Sequence, residues 1–320
     1  MNRILLTGAS GFVGGAVHEC LSKISTQKLT LAIRKPVQGL ISSTITAQID
    51  QIDGFTDWAQ ALLDCDVVIH AAARVHVMHD SSLDPLAEFR KVNVDGTLNL
   101  ARQAAQRGVH RFIFISSIKV NGEETSLDEP YTADIEPAPV DPYGISKMEA
   151  EKGLMTIASQ TGMEVVIIRP TLVYGPGVKA NFLSMMQWLY KGIPLPFGAI
   201  CNRRSLVALG NLVDLIVTCI DHPKAANQTF LVSDGDDLST TVLLEKMGAA
   251  LGKSARLLPV PSGVLKFGAA MLGKKSLSQR LCGSLQVDIE KNRELLGWSP
   301  PITVDVAIGL TAKHFIDSHS

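Results

Sequence analysis

The run Arg3-Ile-Leu-Leu-Thr7 and the run Gly8-Ala-Ser-Gly11-Phe-Val-Gly14, which follows at once, decide the fold of this chain. The first is a short apolar strand, and a stretch compatible with a helix, Gly15–Ser22, follows the glycines. Such glycines allow a tight turn and close backbone approach to a pyrophosphate, which free N–H groups of the helix N-terminus would bind. We therefore predict a dinucleotide-binding turn; the alternative is a plain glycine turn. The residues expected to contact the dinucleotide here are Gly8, Ser10, Gly11, Phe12 and Val13.

Strands and helices alternate from this turn to about residue 175. Further strands are predicted at Leu29–Ile33, Thr44–Asp50, Asp66–Ala73, Arg111–Ile115 and Met163–Arg169. Continuous apolar strands indicate a parallel sheet covered on both faces, and the alternation indicates right-handed crossovers. The predicted fold is therefore α/β, a Rossmann-like doubly wound parallel sheet over residues 1–175 with a smaller substrate-binding domain over 176–320. Short strands near 205–210 and 228–233 are expected to return to the first domain.

The end of the second strand bears on the choice of cofactor. It reads Arg34-Lys35-Pro36, and a basic group there suits the 2′-phosphate of NADP, whereas an acid would bind the ribose hydroxyls of NAD. Arg34 therefore favours NADP(H), and NAD(H) is the alternative. If these residues do not bind a cofactor, they form a solvated basic end of the strand. Asp50 is a candidate adenine contact. The small residues Ala71, Ala72 and Ala73 would let a cofactor lie against the backbone.

A helix is predicted from Asp84-Pro85 to about Arg107, ending at Gly108. Within it Asn93 is either a satisfied core amide or a polar group at the cofactor that orders water near Lys147. The preceding loop contains His76 and His79, which could ligate a metal. Because no third ligand clusters nearby, we expect a loop over the active site and no metal.

The run Asp141-Pro-Tyr-Gly-Ile-Ser-Lys147 is the predicted catalytic segment. Asp141 is a good N-cap, so Tyr143 and Lys147 would lie four residues apart on one helix face. A nearby ammonium is expected to lower the phenol pKa enough for proton transfer near neutrality. Ser117, at the carboxyl end of another strand, would face the same crevice. The alternative is a surface pair.

Composition excludes several classes of protein. With 46% hydrophobic and 19% charged residues the chain is not disordered, and a net charge of −1 argues against nucleic-acid binding. Five scattered cysteines fit structural thiols in a reducing cytoplasm, and Met1 leads straight into a strand, leaving no room for a signal peptide. No apolar stretch is long enough to span a membrane, and the nearest is Val264–Leu272, so we expect no stable insertion. An ordinary buried helix is the favoured interpretation there, and a membrane-touching helix the alternative.

These motifs resemble those of the extended short-chain dehydrogenase/reductase family, in its sugar-nucleotide branch. The late segment Asp288–Trp298 also resembles the C-terminal signature of UDP-glucose 4-epimerase-like proteins. The other matching pieces, in the family's order, are Thr7–Gly14, His70–Ala73, Ser116-Ser117, Tyr143-x-x-x-Lys147 and Arg169–Pro176.

The resemblance implies roles for individual residues. Tyr143 would exchange a proton with the sugar oxygen, Ser117 would hydrogen-bond that oxygen, and Lys147 would bind the nicotinamide ribose. Backbone around Pro170 to Val173 would meet the nicotinamide, and Arg204 would bind the nucleotide diphosphate. Asn181 and Arg280 are weaker substrate-side matches. A homodimer built from two helices is also implied.

One departure from the branch pattern concerns the segment after Ser117. The branch usually has Val-Tyr-Gly there, and this chain has Val-Asn-Gly, preceded by Lys119. With Lys119 and Asn121 at these positions, the chain resembles bacterial enzymes that reduce UDP-4-keto-6-deoxy-N-acetylglucosamine. Those enzymes make UDP-N-acetylquinovosamine for surface polysaccharide and O-antigen synthesis. The resemblance therefore implies an NADPH-dependent 4-keto reductase with Lys119 on the substrate side. The alternatives are an NAD-dependent UDP-hexose 4-epimerase and a dinucleotide-sensing regulator.

Overall fold

A seven-stranded parallel sheet forms the centre of the computed structural model. Its strand order is β3-β2-β1-β4-β5-β6-β9. The strands are β1 (Arg3–Thr7), β2 (Lys28–Ile33), β3 (Ile45–Gln48), β4 (Val67–His70), β5 (Arg111–Ile115), β6 (Glu164–Pro170) and β9 (Gln228–Val232). The structure describes residues 2–24, 27–34, 45–75, 84–271, 273 and 275–319.

The order of the strands places a switch point beside β1. β1 pairs in parallel with β2 on one side and β4 on the other, so the chain crosses over in opposite directions from this strand. Ligands bind such sheets in the crevice outside the carboxyl ends of the strands at this point. The glycine turn Gly8–Gly14 begins there. The predicted doubly wound α/β fold is thus confirmed.

Helices cover both faces of the sheet. Residues of α1 and α6 pack into one buried cluster and residues of α3 and α4 into another, on the opposite face. The helices are α1 (Phe12–Leu21), α2 (Pro85–Arg90), α3 (Thr97–Gln106), α4 (Pro142–Thr161), α5 (Ala180–Tyr190), α6 (Leu209–Asp221), α7 (Thr240–Ala250), α8 (Ser262–Met271), α9 (Lys275–Cys282), α10 (Glu290–Leu296) and α11 (Val304–His319).

Local signals explain the limits of α4. The Asp141 carboxylate accepts from the Gly144 N–H at 2.6 Å, Pro142 occupies the first turn, and Gly162 ends the helix in the left-handed region at φ 74°. Asp141 and Pro142 are the N-terminal residues that the sequence predicted. The 20-residue helix carries Tyr143 and Lys147 to the carboxyl edge of the sheet.

The helix predicted from Pro85 to Arg107 is interrupted. Residues Lys91–Gly96 form a π-helical turn between α2 and α3. Such turns are rare and frequently occur at functional sites. This one contains Asn93, whose side chain is buried.

The strand near 205–210 does not return to the large sheet. β8 (Leu206–Ala208) pairs in parallel with β7 (Leu172–Tyr174), a strand that the sequence did not reveal, in a separate two-stranded sheet. The strand predicted near 205–210 also extends too far, since α6 begins at Leu209. By contrast, β9 pairs with β6 as an edge strand of the large sheet.

Helices α5, α7 and α11 pack around a third buried cluster, which includes Tyr174, Phe182, Leu244 and Ile308. The segment resembling an epimerase signature instead returns to the large sheet. There Trp298 joins the core of β1 and α6, and its indole N–H donates to Asp214 at 2.7 Å. The division into two domains at residue 175 stays a prediction.

The helix expected to be buried around Val264–Leu272 is not buried. α8 has no buried residue, so that prediction is wrong for the described part of the stretch; Leu272 lies outside it. Within the described residues, no helix combines the length and apolar character needed to cross a membrane.

Candidate active site

The glycine turn closes against the end of β4. Gly8 has φ 77°, and a Cβ atom built there would lie 2.7 Å from the Ala72 nitrogen. A Cβ on Gly14 would lie 2.1 Å from the Gly8 carbonyl oxygen. Only glycine fits at these two positions, because the turn, the first helix and the Ala71–Ala73 backbone approach one another within van der Waals distance. Phe12, Val13 and Ala71 pack on the same core.

We expect Gly8→Ala to destabilise the protein far more than Gly162→Ala. Both glycines have nearly the same φ, 77° and 74°, but a Cβ on Gly162 meets nothing within 4 Å. The shared backbone strain costs about 1–3 kcal/mol, and the clash at Gly8 adds about 1–3 kcal/mol. Urea unfolding measures both variants, and equal losses would show that the close approach at Gly8 relaxes freely.

The basic and acidic residues expected at the adenosine end lie on neighbouring strands. Arg34 and Asp50 are both exposed and follow β2 and β3, whose register pairs Ile33 with Gln48. They therefore share the carboxyl edge of the sheet with the glycine turn. Their contacts to a cofactor stay predictions. Lys35, His76 and His79 lie outside the described residues, and among those described no group of three or more His, Cys, Asp or Glu side chains is placed to hold a metal.

His70 links the elements that meet at the switch point, and the sequence did not predict this role. Its buried ring lies 2.8 Å from the Thr7 hydroxyl at Nδ1 and 3.0 Å from the Thr97 hydroxyl at Nε2. Burial, with a smaller contribution from the Lys147 charge, lowers the pKa of His70 to about 3. The imidazole is therefore neutral at physiological pH and links β1, β4 and α3. A histidine ending an apolar strand was the available signal.

The catalytic candidates converge at the end of β5. Lys147 is 1% exposed, and its Nζ donates to the Ile115 carbonyl at 2.8 Å. The same Nζ lies 6.0 Å from the centre of the Tyr143 ring, which packs edge-on against Phe89. Ser117, two residues beyond Ile115, caps a short 3₁₀ turn and accepts from the Lys119 N–H at 3.3 Å. β5 and α4 thus place these side chains around one crevice.

The protonation states differ from the expectation that Lys147 lowers the pKa of Tyr143. Burial raises the pKa of the Tyr143 phenol, and the Asp141 charge raises it further. Burial also lowers the pKa of Lys147 to about 7, against a smaller upward effect of Glu151. The expectation was wrong because desolvation dominates the pKa shifts of both groups. Tyr143 is therefore a proton donor at neutral pH.

The lowered pKa of Lys147 predicts a pH-dependent stability. Between about pH 7 and its ordinary value of 10.5, the unfolded chain binds a proton at Lys147 that the folded chain lacks. Stability of the wild type should therefore rise with pH in this window relative to Lys147→Met, by about 1.4 kcal/mol per pH unit at most. Unfolding in urea at several pH values measures the difference. Parallel curves would mean that Lys147 stays charged in the fold.

A buried ion pair lies directly below these residues. Glu151 follows Lys147 by four residues on α4, and its carboxylate accepts from Arg169 Nη2 at 2.6 Å and Nε at 3.0 Å. Arg169 also donates to Asn121 Oδ1 at 2.9 Å, and the Ser116 hydroxyl donates to Glu151. The pair therefore joins α4, β6 and the segment that carries Ser117. A charged residue in an apolar strand must be paired, and this was the signal in the sequence for Arg169.

Asn93 is a satisfied amide in this structure. Its Oδ1 accepts from the Arg74 N–H at 2.8 Å, and its Nδ2 donates to the Arg74 carbonyl and the Ser146 hydroxyl, each at 3.0 Å. Both amide protons are thus used within the protein. The structure favours the interpretation in which Asn93 positions α4, rather than one in which its amide binds the cofactor.

The substrate-side candidates divide into two groups. Lys119 forms ion pairs with Glu123 and Asp141, so it lies beside the start of α4. Arg204 donates to the Gly283 carbonyl at 3.0 Å. Burial, opposed by Glu124, lowers the pKa of Arg204, and the charge of Arg280 lowers it further, so the two guanidinium groups are neighbours. Asn181 is exposed in the first turn of α5.

Asn121 does not face a substrate. Its side chain is held between Arg169 and the Thr132 carbonyl, to which Nδ2 donates at 3.2 Å. At this position the branch pattern has tyrosine. Here the amide extends the buried network instead, so the departure is a change beneath the site.

The residues present fit a bound dinucleotide. The glycine turn at the start of α1, the small residues after β4 and the switch-point crevice suit a pyrophosphate, which free N–H groups of the helix N-terminus would bind. Pro170 ends β6 and Val173 lies half-buried in β7, on the expected nicotinamide side. Sheet, glycine turn and Tyr-x-x-x-Lys helix together define a nucleotide-binding enzyme of the short-chain dehydrogenase/reductase class.

Comparisons with known proteins identify the family within this class. Residues 4–233 match the model of the NAD dependent epimerase/dehydratase family. The chain is 50% identical over 318 residues to a UDP-glucose 4-epimerase of Vibrio cholerae. The alignment covers 99% of this chain and 96% of that protein. It therefore belongs to the NAD dependent epimerase/dehydratase family, whose enzymes act on sugar nucleotides.

More distant proteins share the architecture. A GDP-6-deoxy-D-mannose reductase of Pseudomonas aeruginosa is 25% identical, in an alignment that covers 94% of this chain and 93% of that protein. The solved structure of a UDP-glucuronic acid 4-epimerase from Bacillus cereus in complex with NAD superposes with a TM-score of 0.78 at 22% identity, covering 99% of this chain and 100% of that one. At this identity the likeness establishes the fold.

Proposed function

We propose that this protein is a UDP-hexose 4-epimerase, which inverts the configuration at C4 of the sugar without net oxidation or reduction. The observation that carries the proposal is the 50% identity to the Vibrio cholerae UDP-glucose 4-epimerase over nearly the full length of both chains. The complete Ser117, Tyr143 and Lys147 set supports it, since a dinucleotide-sensing protein needs no proton relay.

Each catalytic candidate has a proposed task. Tyr143 exchanges a proton with the C4 oxygen, and Ser117 holds that oxygen by a hydrogen bond. Lys147, held by the Ile115 carbonyl, orients the ribose and places positive charge near the phenol. NAD, when bound on Gly8, Gly11 and Gly14, supplies the acceptor and later donor of the C4 hydride.

The nucleotide diphosphate of the substrate would be bound by the neighbouring guanidinium groups of Arg204 and Arg280. Guanidinium forks match phosphate oxygens, and an anion between two arginines relieves their repulsion. Asn181 and Lys119 complete the proposed substrate side. Because Lys119 is already paired with two carboxylates, its contribution would be smaller than that of Arg204.

A second candidate function is the NADPH-dependent reduction of a UDP-4-keto-6-deoxy-N-acetylhexosamine, with UDP-N-acetylquinovosamine as one product. The observation favouring it is Arg34, an exposed base where an NAD enzyme of this fold would carry an acid. The raised pKa of Tyr143 also suits protonation of an alkoxide. The comparisons favour the epimerase, so this reaction is retained as the alternative.

The deciding experiment follows two quantities with the same purified protein. An epimerase converts UDP-glucose or UDP-N-acetylglucosamine to the C4 epimer with no change in NADPH absorbance. A reductase oxidises NADPH in stoichiometric amounts with a UDP-4-keto sugar and leaves UDP-glucose unchanged. NADPH oxidation without epimer formation would overturn the epimerase proposal. The same assay with NADH or NAD, and with Arg34→Glu, determines the cofactor preference.

Three further expectations belong to the same proposal. The cytoplasmic location expected from the scattered cysteines stays a prediction. Neither a homodimer nor the absence of nucleic-acid binding has been tested. Sedimentation of the purified protein measures the first, and a shift assay with duplex DNA the second.

A further inference from the structure

One apolar helix face points away from the protein. Along α8, Val264, Phe267 and Met271 are 60%, 70% and 75% exposed. Their spacing of three and four residues places them on a single stripe of the helix. Leu265 and Ala269, on the opposite side, are the half-buried positions that face the rest of the chain. The stripe is therefore an outward apolar surface, and not a poorly packed edge of the core.

The segment is held firmly at both ends. Before α8, the Leu258 N–H donates to the Leu195 carbonyl at 2.8 Å and the Gly198 N–H to the Leu258 carbonyl at 2.9 Å. After α9, the Asn202 amide donates to the Gly283 carbonyl at 2.8 Å. The apolar stripe thus lies on an anchored helical projection, whose orientation is set by the fold.

The charge of this segment is one-sided. Between residues 253 and 287 the sequence contains no aspartate or glutamate. Its cations are Lys253, Arg256, Lys266, Lys274, Lys275 and Arg280, of which Lys253 lies over the Tyr190 ring and Arg280 beside Arg204. The chain as a whole has a net charge of −1, so the positive charge is local. An apolar helix face that includes phenylalanine, in a segment rich in lysine and arginine, is typical of helices that lie in a membrane interface.

We propose that α8 docks this protein on an anionic membrane surface. The stripe of Val264, Phe267 and Met271 would enter the headgroup boundary, and the excess positive charge of the segment would attract acidic lipids. At 10 residues the helix is about 15 Å long, which is half the hydrocarbon thickness, so it lies in the surface and does not span it. Docking of this kind is independent of the chemistry proposed for the active site.

A second copy of the chain fits the surface less well. A twofold dimer brings the same patch of both subunits together, and here that would bring two copies of the same cationic segment together. Acidic lipids provide the complementary charge with no such repulsion. A membrane is therefore the occupant that the charge distribution favours.

The test is flotation of the full-length protein with vesicles of phosphatidylglycerol and phosphatidylethanolamine, compared with vesicles of phosphatidylcholine. We expect binding only to the acidic vesicles and weaker binding when salt rises from about 0.1 M to about 0.5 M. Phe267→Ser/Met271→Ser should weaken binding at least about 10-fold, and Lys266→Glu by a smaller factor. The matched control is Phe55→Ser, since Phe55 is 95% exposed but outside the segment.

Several outcomes would overturn the proposal. These are failure of the wild type to bind acidic vesicles, or equal binding by Phe267→Ser/Met271→Ser and the wild type. Sedimentation showing a dimer that this variant dissociates, without vesicle binding, would assign the stripe to a second copy. If the wild type does not bind vesicles and this variant turns over a soluble UDP-sugar more slowly, α8 belongs to the substrate cleft. Unchanged melting temperature and turnover of the variant, with lost flotation, support membrane docking.

Discussion

Tyr143→Phe is expected to lower kcat by about 10²–10⁴-fold while leaving the fold intact, because it removes the proton donor and nothing else. The ring keeps its edge contact with Phe89, whose centre lies 6.0 Å away. Burial and the Asp141 charge raise the pKa of the phenol, so the proton is present at neutral pH for transfer to an alkoxide. Loss of that proton falls on the chemical step, so KM should change little.

Tyr174→Phe is the matched control for this prediction. The Tyr174 side chain is fully buried, and its hydroxyl donates to Asp234 at 2.8 Å, away from the proton relay. Its removal should cost about 1–2 kcal/mol of stability and leave kcat within about two-fold. Steady-state kinetics and urea unfolding of both variants therefore give opposite signatures. Tyr143→Phe with wild-type kcat would show that another group moves the proton.

Local sequence signals were enough to predict the part of the fold that builds the crevice. The strand Arg3–Thr7, the glycine turn after it and the N-cap of α4 each depend on residues a few positions apart. Their physical causes, which are burial, backbone freedom and capping, act within one segment. The seven-stranded sheet followed from repeating such segments in alternation.

Features that depend on distant partners could not be predicted in this way. The apolar run Leu206–Ala208 suits pairing with either sheet, and only the position of β7 decides that it lies in the small one. The π turn at Lys91–Gly96 has no local signature. A Cβ on Gly96 would lie 2.7 Å from Ile52, which shows that close packing against a distant loop accompanies the turn.

The electrostatics of the site were predicted incorrectly for the same reason. Spacing placed Lys147 beside Tyr143 but gave no measure of how deeply either group is buried. In the fold the Lys147 ammonium is enclosed by the Ile115 carbonyl and the Phe114 ring, with Nζ 4.3 Å from the ring centre. Desolvation then controls its pKa.

Glu151→Gln is expected to destabilise the protein by about 3–5 kcal/mol. The substitution keeps the shape of the side chain but leaves the Arg169 guanidinium as an uncompensated charge in a site where both side chains are about 5% exposed. The matched control is Glu149→Gln on the same helix. Glu149 pairs with Arg90 at the surface, so its loss should cost less than about 1 kcal/mol.

A second readout separates a positioning role of Glu151 from a purely structural one. The Glu151 charge raises the pKa of Lys147, so its removal should move that pKa below about 7. If the Lys147 cation supports the reaction, activity declines as pH rises through this pKa, and in Glu151→Gln the decline should begin at lower pH. The ratio of kcat at about pH 6 to kcat at about pH 8 should therefore be greater in Glu151→Gln than in Glu149→Gln.

The double variant Glu151→Gln/Arg169→Met completes the test, because it removes both charges of the pair. Stability should recover in part relative to Glu151→Gln, since no unpaired buried charge is left, with a coupling energy of about 1–3 kcal/mol. The pH decline should stay displaced, because the carboxylate near Lys147 is still missing. Recovery of stability together with a wild-type pH profile would mean that Glu151 acts only through Arg169. If activity declines at a lower pH than in the wild type in both variants, Glu151 controls the charge on Lys147, one helical turn away.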